Sequence, residues 1–230
     1  MIPLAKHLAP HFEVYAPDLP GFGLSDKPRR ALTVRELADA LAAFMTAIGM
    51  KRAAFVGNSL GCEVLVELAL VHPQLVDRLV LQGPTPDPEA RNLFRQVIGF
   101  LAIAPFERWS LAWVAFSDYA RAGIGRYIMT LRSMVDNRIG EKALRVEQPT
   151  LVVWGTRDYI VPHAFVVEPR RLPGPGAVFL SFRGGPTELT TPHPGAVPRR
   201  PSPRSSLVRG RCLPHGAETR RSAHRSAYFY

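Results

Sequence analysis

Gly57-Asn58-Ser59-Leu60-Gly61 decides how the rest of the chain is read. An apolar run, Ala53-Ala54-Phe55-Val56, leads into it. A helical pattern, Leu60 to His72, leads out, with Val64, Leu65, Leu68 and Val71 on one stripe. Strand, sharp turn and helix, with a serine at the apex, is an arrangement that lifts a nucleophile clear of a sheet. Glycines flank the serine because the turn is crowded and strained, and a Cβ is hard to fit there. The helix N-terminus beneath the serine favours negative charge. It also places the backbone N–H of Leu60 to stabilise an oxyanion.

Around this turn the sequence alternates strand and helix patterns. Residues 1–12 read as a helix with Ile2, Leu4, Leu8 and Phe12 apolar, and Val14-Tyr15-Ala16 as a short strand. Asp18-Leu19-Pro20-Gly21-Phe22-Gly23 is a loop that Asp18 is expected to fix through backbone hydrogen bonds. Thr33-Val34-Arg35-Glu36 is a capping box that opens a helix. Leu37, Leu41, Phe44, Met45 and Ile48 line its apolar face, and Gly49 ends it. Leu79-Val80-Leu81 and Thr150-Leu151-Val152-Val153-Trp154 are further buried strands. Strands alternating with helices predict an α/β fold with a mostly parallel sheet covered on both faces. Residues 1–84 would form the first part of this core, and 146–172 the part that carries an acid-bearing strand. Asp158, just past the last of these strands, stands at the sheet edge where such folds carry their sites.

Between them, residues 85–145 change texture. They read as helices rich in aromatics, from Phe94 to Tyr127, suited to roofing a site with an apolar pocket. Residues 173–230 change again, with nine prolines, and nine arginines against two glutamates. They hold +7 of the formal net charge of +10, so the basicity belongs to this tail rather than to a folded face. The arginines show no interleaved stacking aromatics, so nucleic acid is not an expected partner. The tail reads as disordered. Shifted by one base, the codons compatible with residues 178–187 allow V-S-V-V-P-G-G-A-H, a strand, a turn and a histidine. An out-of-frame tail is therefore expected. No run is apolar enough for a membrane span. Cys62 and Cys212, the two cysteines, form neither a disulfide framework nor a metal spacing, and a reducing cytoplasm is the expected setting.

As a set, the loop from Asp18 to Ser25, the turn Gly57–Gly61 and the strand end Trp154-Gly155-Thr156-Arg157-Asp158 resemble the α/β-hydrolase fold family over about residues 1–172. Residues 85–145 are similar to that family's cap. The resemblance implies a serine nucleophile, Ser59, an acid, Asp158, and a histidine later in the chain, with Gly57, Asn58 and Gly61 shaping the elbow. It implies a small-molecule carbonyl substrate, ester-like or with a C–C bond to cleave, and no cofactor or metal. The serine argues against branches of the family that carry an aspartate at the elbow.

Two departures accompany the resemblance. Family members usually begin with further strands and a His-Gly loop that supplies a second oxyanion donor, so an N-terminally truncated, impaired hydrolase is expected. The catalytic histidine is also missing from its usual place. His163 is too close to Asp158, His193 lacks a preceding strand, and His72 ends the elbow helix. The alternative reading is an inactive hydrolase-derived protein or a non-catalytic binding module.

Overall fold

The computed structural model describes residues 2–84, 124–155, 177–182 and 225–228. In chain order its elements are α1 (Ile2–Leu8), β1 (Glu13–Tyr15), α2 (Val34–Ala47), β2 (Ala53–Asn58), α3 (Leu60–Val71), a single 3-10 turn (Pro73–Leu75) and β3 (Val76–Gln82). There follow α4 (Ile124–Asn137), α5 (Ile139–Ala143), β4 (Thr150–Gly155), β5 (Val178–Phe182) and β6 (Arg225–Tyr228). The six strands form one parallel sheet in the order β1-β6-β2-β3-β4-β5.

The elements form where local chemistry favours them. Thr33 accepts a hydrogen bond from the Glu36 N–H, and the Glu36 carboxylate accepts one from the Thr33 N–H at 2.9 Å, so the capping box at the start of α2 is complete. Arg30 also pairs with Glu36. The Arg30 hydrogen bond, then the bonds from Thr33, lower the Glu36 pKa from its ordinary 4.5 to about 2. A depressed carboxylate contributes stability that is fully present above pH 4.5 and is lost as pH falls towards 2. Thr33→Ala should lower stability by about 1 kcal/mol in urea unfolding. The thermal advantage of the parent chain over Glu36→Gln should shrink only as pH falls from 4.5 towards 2. At its other end α2 stops where Gly49 takes φ +69°.

The core lies between α2, α3 and the sheet. Leu37, Leu41 and Met45 from α2 meet Phe55 from β2, Leu65 and Leu68 from α3, and Leu79 and Leu81 from β3, all essentially sealed from solvent. Ile139, Ala143 and Val146 belong to the same cluster. The end of the stretch read as cap, up to residue 145, therefore packs as core. Its aromatics from Phe94 to Tyr119 lie outside the described residues.

The disordered reading of 173–230 needs correction at two places. Val178-Phe179-Leu180-Ser181-Phe182 is strand β5, in register with β4 from Leu151↔Val178 to Gly155↔Phe182. Its apolar, β-branched and aromatic composition suits a strand, a signal outweighed in the sequence by the surrounding prolines and arginines. Arg225–Tyr228 is the second, β6, paired with both β1 and β2.

Candidate active site

Because every strand runs the same way, the loop after β1, the turn after β2, the end of β3 and the end of β4 share one edge of the sheet. The turn after β2 is tight for identifiable reasons. A Cβ on Gly57 would stand 2.8 Å from the main-chain carbon of Gly61, 2.8 Å from Leu65 Cδ1 and 2.9 Å from the Cys62 nitrogen. Glycine is thus required at the head of the turn by the backbone of the departing helix. The Cys62 thiol fills the remaining space, with Sγ 3.3 Å from the carbonyl oxygens of both Gly57 and Gln82. Burial pushes the pKa of that thiol well above its ordinary range, so it is an inert packing group.

Ser59 itself takes φ +50° and ψ −116°, a sparsely populated conformation for any residue with a Cβ. Its N–H donates to the Gln82 carbonyl at 3.2 Å, and its carbonyl accepts from the Cys62 N–H at 2.9 Å. These two bonds fasten the apex to β3 and to the first turn of α3. The residues around it, from Gly57 to Ala69, are largely buried, while Ser59 is exposed. Leu60 is the first residue of α3, so its N–H has no intrahelical acceptor. Asn58 closes β2 in register with Gln82, and Gly61 lies in the crowded first turn of α3.

The loop after β1 is built as its sequence suggests. Leu24 N–H donates to Asp18 Oδ2 at 2.8 Å, and Ser25 Oγ donates to the Asp18 carbonyl at 2.7 Å. A Cβ on Gly23, at φ +50°, would collide with the Asp18 carboxyl group at 2.2 Å. Arg126 of α4 reaches over this loop and donates to the Pro28 and Arg30 carbonyls.

A polar chain along α3 was not expected from the sequence. Glu63 and Glu67, both nearly fully buried, stand four and eight residues past Ser59 and so run down the helix from the serine. Asn137 Nδ2 donates to Glu63 Oε2 at 2.9 Å. Lys142 Nζ donates to Glu67 Oε2 and to Asn137 Oδ1, each at 2.6 Å. The elbow helix is thereby tied to α4 and α5. Ser133 adds a tie to α2, accepting from the Val34 N–H at 3.1 Å. No local pattern signals these partners of α2 and α3, which come from 74 residues or more away.

Asp158 lies outside the described residues, three positions past the end of β4. His163 and His193 are outside them as well. His72 is placed at the opposite end of α3 from Ser59, about 20 Å along the helix axis. There its Nε2 lies 2.9 Å from Asp39 Oδ1, so it is not brought to the serine.

Residues 1–102 match the family described as the alpha/beta hydrolase fold. The chain has the α/β-hydrolase fold. It is 40% identical over 178 residues to a 2-hydroxymuconate semialdehyde hydrolase of Pseudomonas sp. (strain CF600), a match covering 67% of this chain and 63% of that protein. Among solved structures it is similar to Est816, described as an N-acyl homoserine lactone degrading enzyme, with 26% identity and a TM-score of 0.59 over 75% of this chain and 76% of that one. A 2-hydroxy-6-oxo-6-phenylhexa-2,4-dienoate hydrolase from Rhodococcus sp. strain RHA1 shares the fold, at a TM-score of 0.60 and 22% identity over 81% of this chain and 77% of that one. The chain spans less than two thirds of the length of the curated relatives it matches first, 62% and 63%. In this hydrolase fold the exposed turn at Ser59 occupies the C-terminal edge of the parallel sheet, where open α/β sheets hold their ligands. Among the described residues no helix is long and apolar enough to cross a membrane.

Proposed function

We propose that this α/β-hydrolase is built for serine-nucleophile chemistry on a carbonyl bond, ester-like or C–C, of an apolar small molecule. The observation that carries this reading is Ser59, exposed and strained at φ +50° between a buried strand and a buried helix. In this scheme Ser59 Oγ attacks the carbonyl and the Leu60 N–H faces the oxyanion that forms. Asp158 orients the histidine that would take the serine proton. The 40% identity to a semialdehyde hydrolase supports a carbonyl compound as substrate. A cytoplasmic setting belongs to the same reading.

Among the described residues His72 is not brought to Ser59, and the sequence carries no histidine in the family's usual place, so turnover is expected to be slow. Triad members act as a unit, and loss of the base forfeits most of the rate. The test is therefore made on the nucleophile. A fluorophosphonate probe should label the chain, with the adduct on Ser59 by peptide mass mapping, and labelling should vanish in Ser59→Ala. Labelling that is absent, or that persists in Ser59→Ala, would leave a non-catalytic binding module as the better reading.

A further inference from the structure

Arg126 lies in the first turn of α4, and its guanidinium is spent on main chain. Nη1 donates to the Arg30 carbonyl at 3.1 Å and Nη2 to the Pro28 carbonyl. Nη1 also fills the space over Gly21, where a Cβ would stand 2.9 Å from it. The loop after β1 does not need this arginine for its own shape. Asp18 accepts from the Leu24 N–H and from the Ser25 hydroxyl. The Gly21 N–H donates to the Asp26 carbonyl at 2.8 Å, and the Phe22 N–H to the Leu19 carbonyl at 2.9 Å. Arg126 therefore joins a loop that is already closed on itself to α4. Further along α4, Ser133 is tied to Val34 of α2 and Asn137 to Glu63 of α3. Of these three ties, only that of Arg126 reaches a loop on the sheet edge that carries Ser59.

We propose that Arg126 is a positioning residue for the Ser59 site: by seating the loop after β1 against α4, it fixes a far wall for the chain of a long acyl or alkyl substrate. The inference rests on the reading of Ser59 as nucleophile. β1 and β2 stand two strand spacings apart in the order β1-β6-β2, so the loop after β1 lies about 10 Å from the turn at Ser59 along their shared edge. A short group on the reacting carbonyl does not reach that far, whereas a long chain running along the edge does. A guanidinium suits the task. Its planar fork holds two carbonyls at a fixed separation, and it loses less freedom per bond than a lysine would. The wall touches neither the reacting carbonyl nor its oxyanion. Binding energy from the remote chain can therefore be used at the reacting centre, and substrates are sorted by length.

The test compares two fluorophosphonates on the full chain, one carrying an ethyl group and one a dodecyl chain. The rate of Ser59 labelling gives kinact/KI for each. Arg126→Met keeps the stem and removes the donors, and in it the ratio of long-probe to short-probe kinact/KI should fall at least about fivefold. Arg126→Lys keeps the charge and can hold one carbonyl at a time, so there the ratio should fall by less. A general loosening of the fold would change both probes alike and leave the ratio unmoved. Hydrogen exchange should show the Gly21, Phe22 and Leu24 amides still protected in Arg126→Met, the loop keeping its shape while it loses its seat. Loss of their protection would make Arg126 a folding residue of the loop and overturn the positioning role. An unchanged ratio, with the short probe still labelling Ser59, would overturn this inference alone. A short probe that labels no chain would overturn the nucleophile reading and this inference with it. If Arg126→Met does not fold, the ratio in Arg126→Lys decides, a fall supporting the positioning role and no change overturning it.

Discussion

Gly57→Ala should cost about 3 kcal/mol, visible as a lower urea midpoint. It should also abolish labelling of Ser59 by an acylating or phosphonylating probe. The added methyl carbon would sit 2.8 Å from the Gly61 main-chain carbon and 2.9 Å from the Cys62 nitrogen. A flexible side chain could swing away, but these are backbone atoms in the first turn of a buried helix. Either β2 or α3 must move. Movement of α3 loosens the two bonds that fix Ser59, from its N–H to Gln82 and from the Cys62 N–H to its carbonyl. Stability and labelling should therefore fall together. Unchanged stability in Gly57→Ala would show that the turn is looser than this geometry.

The second large effect is expected at Lys142→Met. Lys142 is the cation facing Glu67, whose side chain is 8% exposed, at 2.6 Å. Methionine keeps much of the volume and removes the charge. A nearly buried carboxylate left without its partner costs about 3–5 kcal/mol. The lower end applies here, because Arg35 remains 3.9 Å from the other Glu67 oxygen. Glu67→Gln added to Lys142→Met should recover most of the loss, since the double variant buries no unpaired charge. Urea unfolding of the two single variants and the double variant measures this as a coupling energy. A double variant no better than the sum of the single ones would remove the pair from the account of stability. The same cycle would show whether α5 is held to the elbow helix by this link or only by the packing of Ile139 and Ala143.

The sequence carried the elements whose signals are local. The capping box at Thr33 and Glu36 and the glycine stop at Gly49 are visible within a few residues, and both helix ends form there. Gly57, Ser59 and Gly61 announce the turn because each residue type answers a constraint of the turn itself. The Asp18 loop was legible for the same reason. What was hidden depends on partners far along the chain. Glu63 and Glu67 look like the solvated face of a helix until Asn137 and Lys142 arrive to cover them. Arg126 looks like any helix arginine until it reaches the Pro28 carbonyl. β5 and β6 are short strands inside a proline- and arginine-rich stretch, and composition averaged over that stretch conceals them. α5 lies inside the stretch read as cap, and its core residues Ile139 and Ala143 come just before β4 begins, where no local signal separates them from a cap helix.

The place of β6 in the sheet also sets a clock on synthesis. β2 ends at Asn58, and the strand that covers its open side begins at Arg225. At about 5–20 residues per second, a ribosome needs roughly 10–30 s to cover that interval. Throughout it β1 and β2 lack β6, the strand that joins them among the described residues. An exposed parallel edge beside Phe55 is a template for other chains. The nascent protein is therefore most vulnerable to misassociation late in translation, after most of its core residues have been made.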